Sequence, residues 1–241
     1  WIAYDVVVDS AFACGGYAMA LLVYIFNKGQ YHPLVRPALL ASLFGYTLAG
    51  ASVIFDLGRW WNFWHIFWPG YAQVNSVMFE VAVCISAYIV VMWIEFSPAF
   101  LEKLGMKDVR QKLNKLLFFF IALGVLLPSM HQSSLGSLLV IFGQQIHPRW
   151  QSGCMLPVIY LMTAILLGFA VVIFEATLSA TGFNRPLETK VLTPLSRIMF
   201  WLLAAYVVVR VLDLVFRGAL GTALAATWQA FWFGIGLAFF H

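Results

Sequence analysis

Residues 116–142 read LLFFFIALGVLLPSMHQSSLGSLLVIF. The run carries no charge and is longer than the roughly 20 apolar residues a helix needs to cross hydrocarbon. Its second half nevertheless holds Pro128, Ser129, His131, Gln132, Ser133 and Ser134. Polar side chains at that depth are expensive unless they face a cavity or one another. Hydrogen bonds between neighbouring helices are the plain explanation, and for the serines a sufficient one. A histidine beside a glutamine, just after a helix-loosening proline, favours a site for a polar ligand bound within the membrane.

The rest of the chain agrees with a membrane setting. It is 63% hydrophobic with a mean hydropathy of +0.89, and 10% charged, against about 25% charged in soluble domains. The alternation of a membrane β-barrel is absent. The expected fold is an all-α polytopic transmembrane bundle with seven spans. Span A covers about Ile2 to Phe26, B Pro37 to Phe55, C Tyr71 to Ile94 and D Leu116 to Phe142. E covers Leu156 to Thr177, F Val191 to Val215, and G Ala219 to the end. Ser97 to Lys115 is the longest polar linker. Four-helix bundles are a common unit, so residues 1–143 are expected to form a first bundle and 144–241 a truncated part of a second. The chain begins and ends in apolar sequence (Trp1, His241) and is expected to belong to a longer protein.

Lysine and arginine set the orientation. The A–B, C–D and E–F connections with their flanks carry Lys28, Arg36, Lys103, Lys107, Arg110, Lys112, Lys115, Arg185, Lys190 and Arg197, against Arg59, Arg149, Arg210 and Arg217 opposite. This bias places the first set of connections in the cytoplasm. The net charge of +4 then reports topology and gives no reason to invoke nucleic acid.

Ionisable groups in the spans are the candidates for chemistry. Glu80, Cys84 and Tyr88 recur every four residues along span C, and Glu95 continues the same face two turns on. Bridged by water or hydroxyls, such a stripe passes protons; the alternative is isolated, hydrogen-bonded acids. Glu175 near the cytoplasmic end of E is a further proton-path candidate or an interfacial charge. Tyr206, Arg210, Asp213 and Arg217 lie on one face of F, where a structural Arg210–Asp213 ion pair is preferred. Span B ends Asp56-Leu57-Gly58-Arg59-Trp60-Trp61, with tryptophans suited to an interfacial belt. An acid and a guanidinium at that boundary, with His131 deeper in, suit a quinone, whose carbonyls take up protons on reduction. Imidazole is well matched to supplying them. Asp56, Arg59, His131, Gln132 and Ser133 are the proposed quinone contacts. His131 and Glu80 are the proposed catalytic groups.

The cysteines, Cys14, Cys84 and Cys154, have no cluster-ligand spacing, so iron–sulfur ligation by this chain is not expected and no metal site is read. Bis-histidine haem needs two facing ligands at matching depth. His131 alone lies well inside a span, while His32, His65 and His147 fall in or beside loops and His241 is terminal. No haem is expected.

Three further stretches carry a likeness: Phe12-Ala13-Cys14-Gly15-Gly16-Tyr17-Ala18, Asn27 to Leu40, and Asn75-Ser76-Val77-Met78-Phe79-Glu80. With Leu127 to Ser137 and His147 to Ser152, they resemble the NrfD/polysulfide-reductase membrane subunits, most closely those of uptake nickel–iron hydrogenase complexes. The likeness covers about Trp1 to Glu175 and loosens beyond. It implies a multi-pass subunit of the bacterial cytoplasmic membrane with no redox centre of its own, reacting with menaquinone or ubiquinone. Electrons would come from a ferredoxin-like iron–sulfur subunit fed by the hydrogenase large and small subunits on the periplasmic side. A family member serving another respiratory oxidoreductase (polysulfide, sulfite or cytochrome linked), and a proton-conducting transporter, are the alternatives. Asp9 stands where this type often has a small residue. Asp5, one turn earlier, would pair with it as an outward-facing acidic couple and join a proton path of Asp5, Glu80, Tyr88, Glu95 and Glu175.

Overall fold

A computed structural model describes residues 2–145, 147, 150–184, 186 and 188–219, together with single residues at 221, 228 and 231. Side chains are described from residue 6 onward. Every regular element among these residues is helical. The longer helices are α1 (Ile2–Phe12), α2 (Gly15–Ala20), α3 (His32–Asp56), α4 (Val77–Lys103), α5 (Lys107–Ile141), α6 (Leu156–Gly182) and α7 (Thr189–Phe216). Five of them, with their short flanking turns, are long and apolar enough to cross a membrane. The segments Val6–Phe12 and Gly15–Ile25 make a sixth if taken as one broken span bent by 45°. Span G lies largely outside the described residues, so the expected seven reduces to six among those described.

Three boundaries depart from the sequence reading. Span A is broken at Ala13–Cys14, and its second half ends in a π-helical turn, Leu21–Ile25. Span C begins at Val77; the residues before it include a 3-10 helix, Trp60–Phe67. The expected linker Ser97 to Lys115 is almost entirely helix, because α4 runs on to Lys103 and α5 starts at Lys107. Its Lys, Leu, Gln and Glu residues are good helix formers, which a hydropathy reading discards. Gly105, at φ +74°, supplies the left-handed turn that ends α4, and Arg110 pairs with Glu102 at 3.3 Å across it. Pro98 and Pro128 lie inside continuous helix.

Packing follows membrane rules. Lipid chains are as apolar as leucine, so close backbone approach and hydrogen bonds bind the helices. The outward surface is correspondingly apolar, with Phe118 82% and Phe216 85% exposed. α5 packs between α4 and α6, α6 also lies on α1 and α2, and α7 lies on α6. The core is therefore continuous across residue 143. Glycines permit these contacts. A Cβ on Gly168 of α6 would stand 2.7 Å from the Cys14 carbonyl oxygen at the break and 2.8 Å from Ala18 Cβ. A Cβ on Gly136 of α5 would stand 2.5 Å from Pro157 Cα. Beyond the break, Met19, Leu22, Leu34, Phe169 and Leu195 form a core shared by α2, α3, α6 and α7.

Gly168→Val is expected to destabilise the chain by about 1–3 kcal/mol through overpacking. Gly182, with nothing within 4 Å of its would-be Cβ, should tolerate alanine within about 0.5 kcal/mol. Thermal unfolding of both variants in micelles checks the contrast.

Candidate functional site

The break in the first span is the origin of the site. Where α1 stops, regular hydrogen bonding lapses, and in hydrocarbon each freed group must find a protein partner. The Gly16 amide donates to Ser42 Oγ of α3 at 2.6 Å. A Cβ on Gly16 would lie 2.9 Å from that oxygen and 3.2 Å from Leu39 Cα, so glycine is what lets α3 come close enough to cap the break.

Polar side chains gather at the same level. His131 and Gln132 of α5 are fully buried at 0% exposure. His131 Nε2 lies 3.1 Å from the Tyr46 hydroxyl and Nδ1 lies 3.2 Å from the Leu127 carbonyl oxygen. Gln132 Nε2 is 3.2 Å from Ser10 Oγ, 3.5 Å from Cys14 Sγ and 3.2 Å from His131 Nε2. An amide nitrogen has two hydrogens. The assignment giving each hydrogen its own acceptor has Nδ1–H donating to Leu127, the Tyr46 hydroxyl donating to Nε2, and Gln132 donating to Ser10 and Cys14. Ser10 in turn donates to the Val6 carbonyl, and Cys14 Sγ lies 3.4 Å from the Tyr46 hydroxyl. Gln132 Oε1 is buried with no hydrogen-bond partner among the described residues.

The other candidates sort around this cluster. Tyr88 is buried with its ring edge-on to Tyr46, centroids 4.8 Å apart. Glu80, half-buried, accepts from Ser134 Oγ at 2.8 Å. Glu95 is pressed against α5, where a Cβ on Gly124 would lie 2.5 Å from its Oε1; that oxygen is buried without a hydrogen-bond partner among the described residues. Ser133 donates to its own helix at the Met130 carbonyl. Asp56 and Arg59 are exposed at the end of α3, ten or more residues past Tyr46 and so about 15 Å along the axis. They are not brought to His131. The side chain of Asp5 lies outside the described residues.

A second feature shares a wall with the cluster. A groove of about 370 Å³ runs between α1, α2, α3 and α6, with Asp9 and Glu175 among its lining residues. Ala13 and Gly45 line the groove, while their chain neighbours Cys14 and Tyr46 belong to the cluster. A Cβ on Gly45 would lie 2.8 Å from Ala13 Cβ, so the wall is as thin as two backbones allow.

Comparison with known proteins decides the family. The family described as Polysulphide reductase, NrfD, matches residues 10–241. This chain belongs to the NrfD family. It is 50% identical over 244 aligned positions to the "Probable Ni/Fe-hydrogenase 2 b-type cytochrome subunit" of Escherichia coli K12, covering 100% of this chain and 62% of the relative. A Nitratidesulfovibrio vulgaris Hildenborough protein without a descriptive name is 33% identical over 88% of this chain and 56% of its own. The "Menaquinone reductase, integral membrane subunit" of the same organism is 29% identical over 60% of this chain and 35% of its own. The chain thus spans under two thirds of the length of these relatives. No solved structure matches it.

The E. coli relative is named a b-type cytochrome subunit, and that name overturns the expectation that no haem is involved. Haem belongs among the groups to be assayed in the assembled protein. Among the described residues, His131 is the one fully buried histidine, and both of its ring nitrogens have protein partners. These residues do not fit a haem iron.

Sequence reading of this NrfD-family chain missed Tyr46 and Ser10 and considered Cys14 only as a cluster ligand, which its spacing excluded. The i,i+4 spacing of Ser10 and Cys14 just before a Gly-Gly pair was the available signal. Tyr46 had none, because its contact with His131 depends on where α3 stands relative to α5, which no local pattern records. The Arg210–Asp213 pair is present at 3.6 Å, with Arg217 at 2.6 Å from the same carboxylate. Ser152, from the α5–α6 connection, donates to Asp213 at 2.8 Å and accepts from Arg210.

Tyr46→Phe strips the hydroxyl from His131 Nε2 and should cost about 1–3 kcal/mol, whereas Ser133→Ala should stay within about 0.5 kcal/mol. Asp213→Ala leaves the Arg210 charge buried and should cost about 3–5 kcal/mol. Arg110→Ala, at the half-exposed pair, should cost no more than about 1 kcal/mol. Unfolding midpoints in micelles rank the four.

Proposed function

We propose that this chain is the core of an integral membrane subunit of a respiratory nickel–iron hydrogenase complex, and that it exchanges electrons and protons with a membrane quinone. The proposal extends to a ferredoxin-like iron–sulfur subunit and the hydrogenase large and small subunits as electron-delivering partners on the periplasmic side of a bacterial inner membrane. The E. coli relative's hydrogenase name and the menaquinone reductase name of a second relative support it. The observation that carries it is the sealed Tyr46–His131–Gln132 cluster at the break of the first span.

Two-electron reduction of a quinone consumes two protons, and the cluster is a supply of them. His131, neutral with its proton on Nδ1, accepts at Nε2 from the Tyr46 hydroxyl. A proton given by His131 to the quinone and replaced at Nε2 by the Tyr46 proton leaves Tyr46 to be reprotonated in turn, from Glu95 through Tyr88 and water. Only that complete transfer leaves no net charge at mid-depth, where an unpaired charge is costly. Tyr88 abuts Tyr46, and Glu95 stands two turns further along α4, about 10 Å away, a gap for water to bridge. Glu80 and Ser134 form a branch toward the opposite end of α4. The groove beside Asp9 offers a quinone a site one wall, Ala13 and Gly45, away from the cluster, its volume lying within the roughly 300–1,000 Å³ common to small-molecule sites. A family member serving another respiratory oxidoreductase would use the same parts.

His131→Ala in the assembled complex is expected to lower hydrogen-dependent quinone reduction at least about 100-fold, the ordinary contribution of a positioned acid–base group. Hydrogen oxidation with a soluble dye should persist. Glu95→Gln should lose proton uptake from its own side in sealed vesicles. Normal quinone turnover in a correctly assembled His131→Ala complex overturns the role.

A further inference from the structure

The segment between α3 and α4 has a pattern that only its structure reveals. Trp60–Phe67 is a 3-10 helix of eight residues, although such runs seldom exceed three or four. At three residues per turn, side chains three apart stand in one row. Trp60, Phe63 and Ile66 make one row, and Trp61, Trp64 and Phe67 a second. Asn62 and His65 make the third. An α-helical or extended reading of the same residues scatters these rows.

Exposure separates the rows in an order opposite to that of a water-facing helix. Both apolar rows are exposed, from Ile66 at 38% to Trp60 at 56%. The polar row, Asn62 and His65, is half-buried. His65 stacks on Tyr71 with centroids 4.2 Å apart and rings 25° from parallel. From Trp60 to Phe79 the chain has no Asp, Glu, Lys or Arg. Both ends of the segment join helices that cross the membrane, so it sits at the bilayer surface on the side where α3 ends and α4 begins.

We infer that Trp60–Phe67 lies in the plane of the membrane as an interfacial anchor, its two apolar rows sunk into the boundary between lipid headgroups and acyl chains. Tryptophan concentrates at this depth because its ring is apolar and its N–H reaches the headgroup region. An in-plane helix buries its apolar side about 5–10 Å into that boundary. A protein-docking patch would surround its aromatics with a polar, charged rim; here charge adjoins one end only, at Asp56 and Arg59, and the stretch from Trp60 to Phe79 carries none. The anchor holds the neighbouring ends of α3 and α4 at fixed depth, and with them Glu80 in the first turn of α4. The inference does not rest on the quinone reading.

The test uses the full-length protein in nanodiscs, alone and with its partner subunits, with exposed cysteines such as Cys154 replaced; Cys14 and Cys84 are buried. Nitroxide labels are placed one at a time through Trp61→Cys, Phe63→Cys, Trp64→Cys, Ile66→Cys, Asn62→Cys and His65→Cys. Labels in the apolar rows should collide freely with oxygen, be shielded from a water-soluble nickel chelate, and not change when partners bind. Labels at 62 and 65 should show less oxygen contact, giving a period of three. Free access of the chelate to the apolar rows, or their immobilisation and loss of oxygen contact on partner binding, overturns the inference; the latter would make the segment a protein-docking surface. Should labelling disturb folding, bromine-labelled phosphatidylcholine supplies a second reading. It must quench the wild type more than the Trp60→Phe, Trp61→Phe, Trp64→Phe variant, and equal quenching overturns the inference.

Discussion

Hydrocarbon contains no water to pair with a freed peptide group, so a break in a spanning helix has to be repaired from within the protein. The interruption at Ala13–Cys14 is such a break. Its repair, the Gly16 amide on Ser42 Oγ, draws α3 against α2, and the carbonyl of Cys14 lies against the bare Gly168 of α6. Three helices thus meet at the break because each brings a glycine or a short hydroxyl side chain to it. The Cys14 thiol donates to the Ser10 carbonyl there, and Gln132 reaches across from α5 to the Ser10 and Cys14 side chains at the same level.

The contacts within this meeting point compete. Gln132 has three neighbours in reach of one nitrogen and an opposite oxygen with none, and His131 has one lone pair between two possible donors. Competition of this kind leaves room for hydrogens to be redistributed, which the proposed relay requires and a purely structural clamp does not. The groove on the far side of Ala13 and Gly45 adds access without opening the cluster itself. Sealing and access are divided between the two sides of a wall one glycine thick.

The broad architecture could be read from the chain because hydropathy reports the solvent of each residue directly. The helical membrane class, five of the spans and the family resemblance all rest on that or on long motifs. Local sequence hid what depends on geometry between segments. The break in the first span is written only as Cys14-Gly15-Gly16, which fits an unbroken close-packed helix equally well. The helical linker from Ser97 to Lys115 escaped because charge density was read as loop, while Gly105 and the Glu102–Arg110 pair were the local evidence for two helix ends. His131 and Gln132 stood out because polarity inside an apolar run is itself a signal. Tyr46 did not, since a tyrosine in a membrane helix is unremarked until the helix opposite is known. Asp56 and Arg59 drew notice through charge alone, and charge at a helix end is ordinary.

The distribution of charge by depth limits what chemistry the interior can do. Ionised groups in close pairs lie toward helix ends: Arg210, Asp213 and Arg217 share Ser152 with the α5–α6 connection, and Arg110 meets Glu102 at the α4–α5 turn. Between those levels the buried polar groups are hydroxyls, a thiol, an amide and an imidazole. Desolvating a lone ion there would cost several kcal/mol in practice, whereas a neutral hydrogen-bonded chain costs little once each donor has an acceptor. A middle composed this way is hostile to a stationary ion and hospitable to a proton handed from one oxygen or nitrogen to the next. Among the described residues, Glu80 and Glu95 bring carboxyls to α4, set toward its opposite ends, while Asp9 and Glu175 line the neighbouring groove. The arrangement suits the proposed proton path, with chargeable ends and a neutral centre, and it is the break in the first span that makes the centre possible.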